Sequence, residues 1–255
     1  MDMSLRPLPL AIGLGVVLAF AGGAARAAPD ITGMWQYDYS HPPAHPPVTP
    51  KAAAIIALHR AATEKGYVRE LSNMKCLPTG MPQLMVWRSP IEIMESFGRI
   101  SIITEHDPGP DEPRTIYLNE PVQPNDIDPS WNGHSIGHWD HDVLVVDTVG
   151  FNDRARLLGG VPRTEAAHIT ERFSLSADGQ TLTDEMTMQD PQMLAGPWTV
   201  SLKFARMPND SERLEAVCEL DLDAIQKLDI NAIKAFDIEA QRTSDPSLRY
   251  NPGGK

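Results

Sequence analysis

Apolar and polar residues alternate with period two along much of this chain, the pattern of strands with one buried face. Runs of this kind fall at residues 30–37, 84–87, 91–96, 99–105, 114–118, 167–175, 181–188, 198–204 and 214–218. Between them lies a longer run, 131–153, which reads as two strands joined by a polar turn at Asp140-His141. A second turn is marked by Asp178-Gly179, a strong hairpin signal between alternating runs. These sequential strands with short connections predict a mainly β fold. We expect a single antiparallel up-and-down barrel, whose closure removes the exposed edges of an open sheet.

One stretch breaks the period. Thr49-Pro50 followed by an alanine- and isoleucine-rich run predicts a helix near 50–65, with Thr49 as N-cap and Pro50 at the first helical position. The proline-rich residues 41–50 before it exclude helix and central strand and predict an extended loop. Residues 220–242 have helical spacing and many acids, and 244–255 read as a frayed end. The organisation is therefore a leader, a barrel domain over 28–219, and a helical, partly disordered tail over 220–255.

The leader is read from residues 1–27. Arg6, an apolar run of about 13 residues and Ala25-Arg26-Ala27 form the pattern of a secretory signal peptide. That run is shorter than the roughly 20 residues a spanning helix needs, so no membrane span is expected. The expected location is periplasmic or secreted. Without residues 1–27 the chain carries 20 Lys+Arg against 33 Asp+Glu, a net charge near −13. Such an acidic chain lacks the basic stripe that nucleic acid demands. Two cysteines, Cys76 and Cys218, in an exported protein favour a disulfide, with two buried thiols as the alternative.

The run 131–153 concentrates the candidate chemistry. With a turn at Asp140-His141, antiparallel pairing sets His134 opposite Asp147, the arrangement that orients a general base. A one-residue slip would dissolve this pair. His168 is a second candidate base, and its strand position gives it a face in common with Arg172. Glu171 and Arg172 alternate across that strand, so one of them faces the interior, to pair with an opposite charge or to contact a substrate, and both are candidate substrate-binding residues. Trp131, Trp139 and Trp198 are candidates for an apolar substrate surface or for barrel core. His134, His138 and His141 with Asp140 and Asp142 superficially suggest a metal site, but the spacing puts them on different faces. Ser135 follows His134 without a nucleophile elbow, and neither a phosphate loop nor a dinucleotide fingerprint is present. No cofactor is expected.

Two sequence features carry a resemblance. Gly33-Met34-Trp35 resembles the Gly-x-Trp opening of lipocalin-like (calycin) barrels. The run Gly133-His134-Ser135-Ile136-Gly137-x-Trp139-x-x-Asp142-x-Leu144-Val145-Val146-Asp147-Thr148-x-Gly150-Phe151-Asn152 is similar to a group of uncharacterised exported bacterial proteins. Residues 170–173, Asp190-Pro191 and 197–199 extend the likeness. It implies a barrel and a compartment, but no reaction. The chain departs from the group at His141, where the group has glycine, and at His138, where it has arginine.

Three functions fit these residues. The first is an exported barrel enzyme that moves a proton on an apolar small molecule by elimination, hydration or isomerisation, a lyase or isomerase with His134 as base. The second is a non-catalytic carrier of a hydrophobic small molecule. The third is a metal-dependent hydrolase.

Overall fold

The structure is a computed structural model that describes residues 28–64, 77–87, 89–104 and 113–214. The expected signal peptide, the tail over 220–255 and both cysteines, Cys76 and Cys218, lie outside the described residues.

Nine strands close into one barrel in chain order: β1 (Gly33–Tyr37), β2 (Ile91–Ser96), β3 (Arg99–Thr104), β4 (Arg114–Tyr117), β5 (His134–Asp140), β6 (Val143–Val149), β7 (His168–Leu175), β8 (Thr181–Gln189) and β9 (Trp198–Arg206). Closure is by antiparallel pairing of β1 with β9, Tyr37 opposite Phe204. Every expected strand from 91 to 204 is present. The run 84–87 instead forms a 3-10 turn, Gln83–Val86, closed by Leu84 N–H to the Gly80 carbonyl and Met85 N–H to that of Pro82. The residues of the last expected strand, 214–218, lie outside the barrel at Leu214 and outside the described residues beyond it.

The barrel is not antiparallel throughout: β4 and β5 run parallel, with Ile116 opposite Ser135 and Tyr117 opposite Ile136. Direction must be restored after one circuit of a closed ring, so the number of antiparallel steps is even. Nine strands therefore need an odd number of parallel pairs, and here it is one. A parallel pair needs a crossover to carry the chain back along the barrel. Residues 118–133 are that crossover.

The helix forms where expected, as α1 (Pro50–Glu64). Thr49 caps it, its hydroxyl accepting from Ala52 N–H at 3.2 Å. The cap residue is pinned to the β8–β9 connection: Thr49 N–H donates to the Met193 carbonyl and Thr49 Oγ1 to that of Gln192. Ala52 enters the core, and Ile55 and Ile56 pack against it.

Turns at 97–98, 141–142 and 176–180 define one end of the barrel, and longer connections gather at the other. That loop end carries its own buried layer, including Met81, Phe151, Leu157, Leu158 and Val161. Fully buried Arg163 stitches it together. Its guanidinium donates to the carbonyls of Met81, Trp131 and Asn152 and lies 4.5 Å over the Phe151 ring. The core is thus continuous from the barrel interior into the cap.

Candidate functional site

Register decides the fate of the expected His134–Asp147 pair. The hairpin turn is His141-Asp142, with Asp140 opposite Val143, one position later than the sequence suggested. His141 takes the left-handed region there, at φ 56. Asp147 consequently opposes Ile136, and His134 opposes Val149. Burial alternates so that Ser135 and Gly137 point into the barrel and His134 points out. Asp147 and His168 also lie on the outer wall.

Asp147 nonetheless holds a histidine. Its Oδ1 accepts from His168 Nε2 at 2.5 Å, across the β6–β7 ladder. His134 is linked to the same carboxylate through Gln123 of the crossover. Gln123 Oε1 accepts from His134 Nδ1 at 2.9 Å, and Gln123 Nε2 donates to Asp147 Oδ2 at 3.0 Å and to the Asp147 carbonyl at 2.9 Å. Glu120 Oε2 sits 3.3 Å from His134 Nε2, and Tyr117 stacks on the His134 ring at 4.9 Å. Two of the three residues nominated as acid–base machinery, His134 and Asp147, therefore fasten the crossover to the outside of the barrel, and His168 joins β7 to Asp147 on β6. All three point away from the barrel interior.

The other nominated residues divide between the two faces. Arg172 points outward and meets Asp140 at 3.5 Å, with both side chains half exposed. Glu171 points inward and is fully buried. Trp139 packs against the core near the hairpin end, and Trp198 is buried at the start of β9. The carbonyl of Trp131 accepts from Arg163 within the cap. Among the described residues no group of three or more His, Cys, Asp or Glu side chains stands where it could hold a metal ion.

The barrel interior has two unlike walls. From β9 through β1 and β2 to β3 it is chiefly apolar, with Val200, Leu202, Phe204, Trp35, Ile93 and Ile102 pointing in. From β4 to β8 polar groups interrupt it at every strand: Arg114, Ser135, Thr148, Glu171 and Asp184, each 0–1 % exposed. Arg114 organises this wall. Its guanidinium binds both carboxylate oxygens of Glu171, one of them Oε1 at 2.8 Å, and donates to Thr148 Oγ1 at 3.2 Å and Ser135 Oγ at 3.4 Å. The two hydroxyls share a bond of 2.8 Å. Such a pair is tolerated in a low-dielectric interior because geometry and added hydrogen bonds satisfy it.

Asp184 is satisfied differently. It projects inward from β8 between Leu182 and Met186, and no basic or amide donor reaches it; its neighbour is the Glu171 carboxylate, to which the protonated Asp184 carboxyl donates a hydrogen bond. Desolvation by burial holds its pKa well above the ordinary carboxylate value, and the charge of neighbouring Glu171 raises it further against the opposing pull of Arg114. Among the described residues, three inward polar atoms lack partners toward the loop end: Tyr37 Oη on β1, Thr104 Oγ1 on β3 and Trp198 Nε1 on β9. Burial also pushes the Tyr37 hydroxyl's pKa up, with lesser contributions from Tyr39 and Asp38.

Of the interior charges only Glu171 was nominated from the sequence, though alternation marks Arg114 and Asp184 as well. Alternation places Arg114 in phase with Ile116, Glu171 with Ile169 and Phe173, and Asp184 with Leu182, Met186 and Met188. A charge in phase with the apolar face of a strand must be buried, and a buried charge needs a partner or a proton. Histidines drew attention instead, and their phase was outward.

No family model matches the chain, and none of the curated proteins matches it. Among solved structures it is similar to the fluorescent protein UnaG. The wild-type structure is 16% identical at a TM-score of 0.34, covering 69% of this chain and 97% of that one. A mutant of the same protein is 15% identical at a TM-score of 0.35, covering 70% and 96%. The closed barrel itself stands on the strand pairing.

Proposed function

We propose that this barrel binds a hydrophobic small molecule in its interior and does not turn it over. One observation carries the reading: inward-facing Tyr37, Thr104 and Trp198 hold polar atoms without partners among the described residues, opposite and among apolar walls. Buried polar groups are ordinarily satisfied, and a site of few convergent polar groups on an apolar surface is what a small ligand requires. Proton transfer was expected to use His134 and Asp147, but their outward direction deprives that chemistry of an enclosed substrate. The leader-like pattern of residues 1–27 and the likeness of residues 133–152 to exported barrels support a carrier working outside the cytoplasm.

The test is native mass spectrometry of the full chain, together with titration of the neutral dye Nile red followed by fluorescence. We expect a retained molecule, or dye uptake at one equivalent per chain. Neither a retained mass nor saturable uptake would overturn the reading.

A further inference from the structure

The β2–β3 hairpin carries an aromatic ring that neither the core nor the turn accounts for. Ser96 pairs with Arg99, so the turn is the two residues Phe97-Gly98, and both take positive φ, 47 and 74. That backbone suits Asn-Gly, and a bulky aromatic is strained in it. Gly98 is required beside the ring, because a Cβ there would collide with the Asn119 amide. Burial offsets none of the strain: Phe97 is 99 % exposed. The turn is held in place all the same, since Leu118 N–H donates to the Gly98 carbonyl at 2.8 Å. A strained residue that the surroundings fix and the fold does not use points to a contact outside the chain.

The surroundings narrow what that contact is. Met94, on the outer face of the same hairpin, is 39 % exposed, and Val122, four residues beyond Leu118, is 71 % exposed. A phenylalanine buries about 150–250 Å². With two smaller neighbours the tip stays well short of the roughly 800 Å² per partner that a specific protein interface buries. A fluid apolar medium asks only that the side chains enter it. Two residues behind the tip, exposed Arg99 lies 5.2 Å over the Tyr117 ring. At about 3.3 Å per residue they stand about 7 Å behind Phe97. That depth matches the roughly 5–7 Å of headgroup region on each side of a bilayer, where an arginine and a phenol are both well placed. Residues 94–99 hold Glu95 and Arg99, so the tip is neutral on a chain of net charge −12. An anionic surface repels such a chain and an uncharged one does not.

We propose that the β2–β3 tip docks this barrel on a zwitterionic lipid surface, with Phe97 entering the acyl boundary and Arg99 and Tyr117 meeting the headgroups. One ring with two lesser side chains gives a reversible contact, as a single acyl chain does. A turn chosen for folding alone would carry asparagine at 97, so phenylalanine there trades stability for the contact. The docking does not depend on what the interior holds.

The experiment sediments the chain from Ala28 to Lys255 with vesicles of phosphatidylcholine, and with vesicles of phosphatidylcholine and phosphatidylserine in equal parts. These residues include every described one and omit the apolar run 8–20, which would itself enter a bilayer. Phe97→Asn and Phe97→Trp are run alongside, each with a thermal melt. The unaltered protein and Phe97→Trp should sediment with phosphatidylcholine vesicles, and less with the mixture. Phe97→Asn should bind at least tenfold more weakly and melt at the same temperature or higher, since asparagine tolerates the left-handed backbone. No sedimentation of the unaltered protein overturns the proposal, as does equal sedimentation of Phe97→Asn. Tighter binding to the mixture overturns the choice of an uncharged surface. A lower melting temperature for Phe97→Asn makes the ring a structural element and removes the argument for an outside contact. Sedimentation velocity without vesicles tests the rival occupant: dimerisation that Phe97→Asn abolishes assigns the tip to a second copy and overturns the lipid assignment.

Discussion

Arg114 on β4 and Glu171 on β7 meet inside the barrel with two strands between them, both without exposure to solvent. The contact ties together four neighbouring strands, because Ser135 on β5 and Thr148 on β6 accept from the same guanidinium. Removing one member leaves the other as an uncompensated buried charge, at a cost of about 3–5 kcal/mol. Glu171→Gln should therefore lower stability by that order in urea unfolding followed by tryptophan fluorescence. Replacing both residues by methionine should cost clearly less than the two single changes added together. Additive losses would show that the pair is not coupled.

Asp184 makes stability depend on pH in the direction opposite to most carboxylates. Burial, and then the charge of Glu171, raise its folded-state pKa well above the ordinary 3.8, so the folded chain keeps a proton that the unfolded chain releases near that value. Its contribution is whole below the unfolded pKa and is lost as pH rises toward the folded one. Within that window the slope approaches about 1.4 kcal/mol per pH unit. Asp184→Asn cannot titrate. Its stability relative to the unaltered protein should therefore improve steadily from about pH 4 upward, measured as paired urea midpoints across pH. Parallel profiles for the two proteins would contradict the assignment.

Strands were legible because alternation survives wherever one face is buried, as in Leu182-x-Asp184-x-Met186-x-Met188 on β8. Register was not, because the β5–β6 turn lacks the Asn-Gly or Asp-Gly pair that fixes a hairpin. His141 adopts φ 56 without being glycine, so composition did not mark the turn's position. That shift of one residue in the turn moved Asp147 from opposite His134 to opposite Ile136. The parallel β4–β5 pair was equally hidden, since it follows from the parity of a nine-membered ring and not from any local pattern. Helix α1 was the reverse case: Thr49 and Pro50 encode their own start, and the structure begins the helix there.

Gly137 shows a constraint that patterning alone does not reveal. It faces inward on β5, and a Cβ built there would lie 2.7 Å from Ile116 Cγ2 and 3.3 Å from Leu118 Cδ2. Ile116 is itself fully buried, and its branched methyl has little freedom to move. Gly137→Ala should thus destabilise by about 1–3 kcal/mol through overpacking, even though alanine suits strand geometry. Restoring room with Ile116→Val does not remove the clashing Cγ atom, whereas Ile116→Ala does. The pair Gly137→Ala with Ile116→Ala should therefore be more stable than the sum of its parts predicts. Simple additivity in thermal melts would count against steric conflict as the reason for glycine.

The crossover over 118–133 exists because β4 and β5 run parallel, and Gln123 is what fixes it to the barrel wall. Through one amide it joins His134, the Asp147 carboxylate and the Asp147 backbone carbonyl. At about 0.5–1.5 kcal/mol for each of these three bonds, Gln123→Ala should release about 1.5–4.5 kcal/mol of local stability. The loss should be confined to the crossover, since no strand–strand bond of the barrel passes through this side chain. In native-state hydrogen exchange, amides of 118–133 should exchange roughly 10- to 2,000-fold faster, up to the limit set by global unfolding, while those of β7, β8 and β9 stay at the protection set by global unfolding. The His168–Asp147 contact should survive, because it is made directly across the β6–β7 ladder. If protection falls equally in β8 and in the crossover, the crossover unfolds only with the whole barrel and Gln123 is part of one cooperative unit. If it falls in the crossover alone, the outer-wall histidines serve as the fastening that the parallel pair demands.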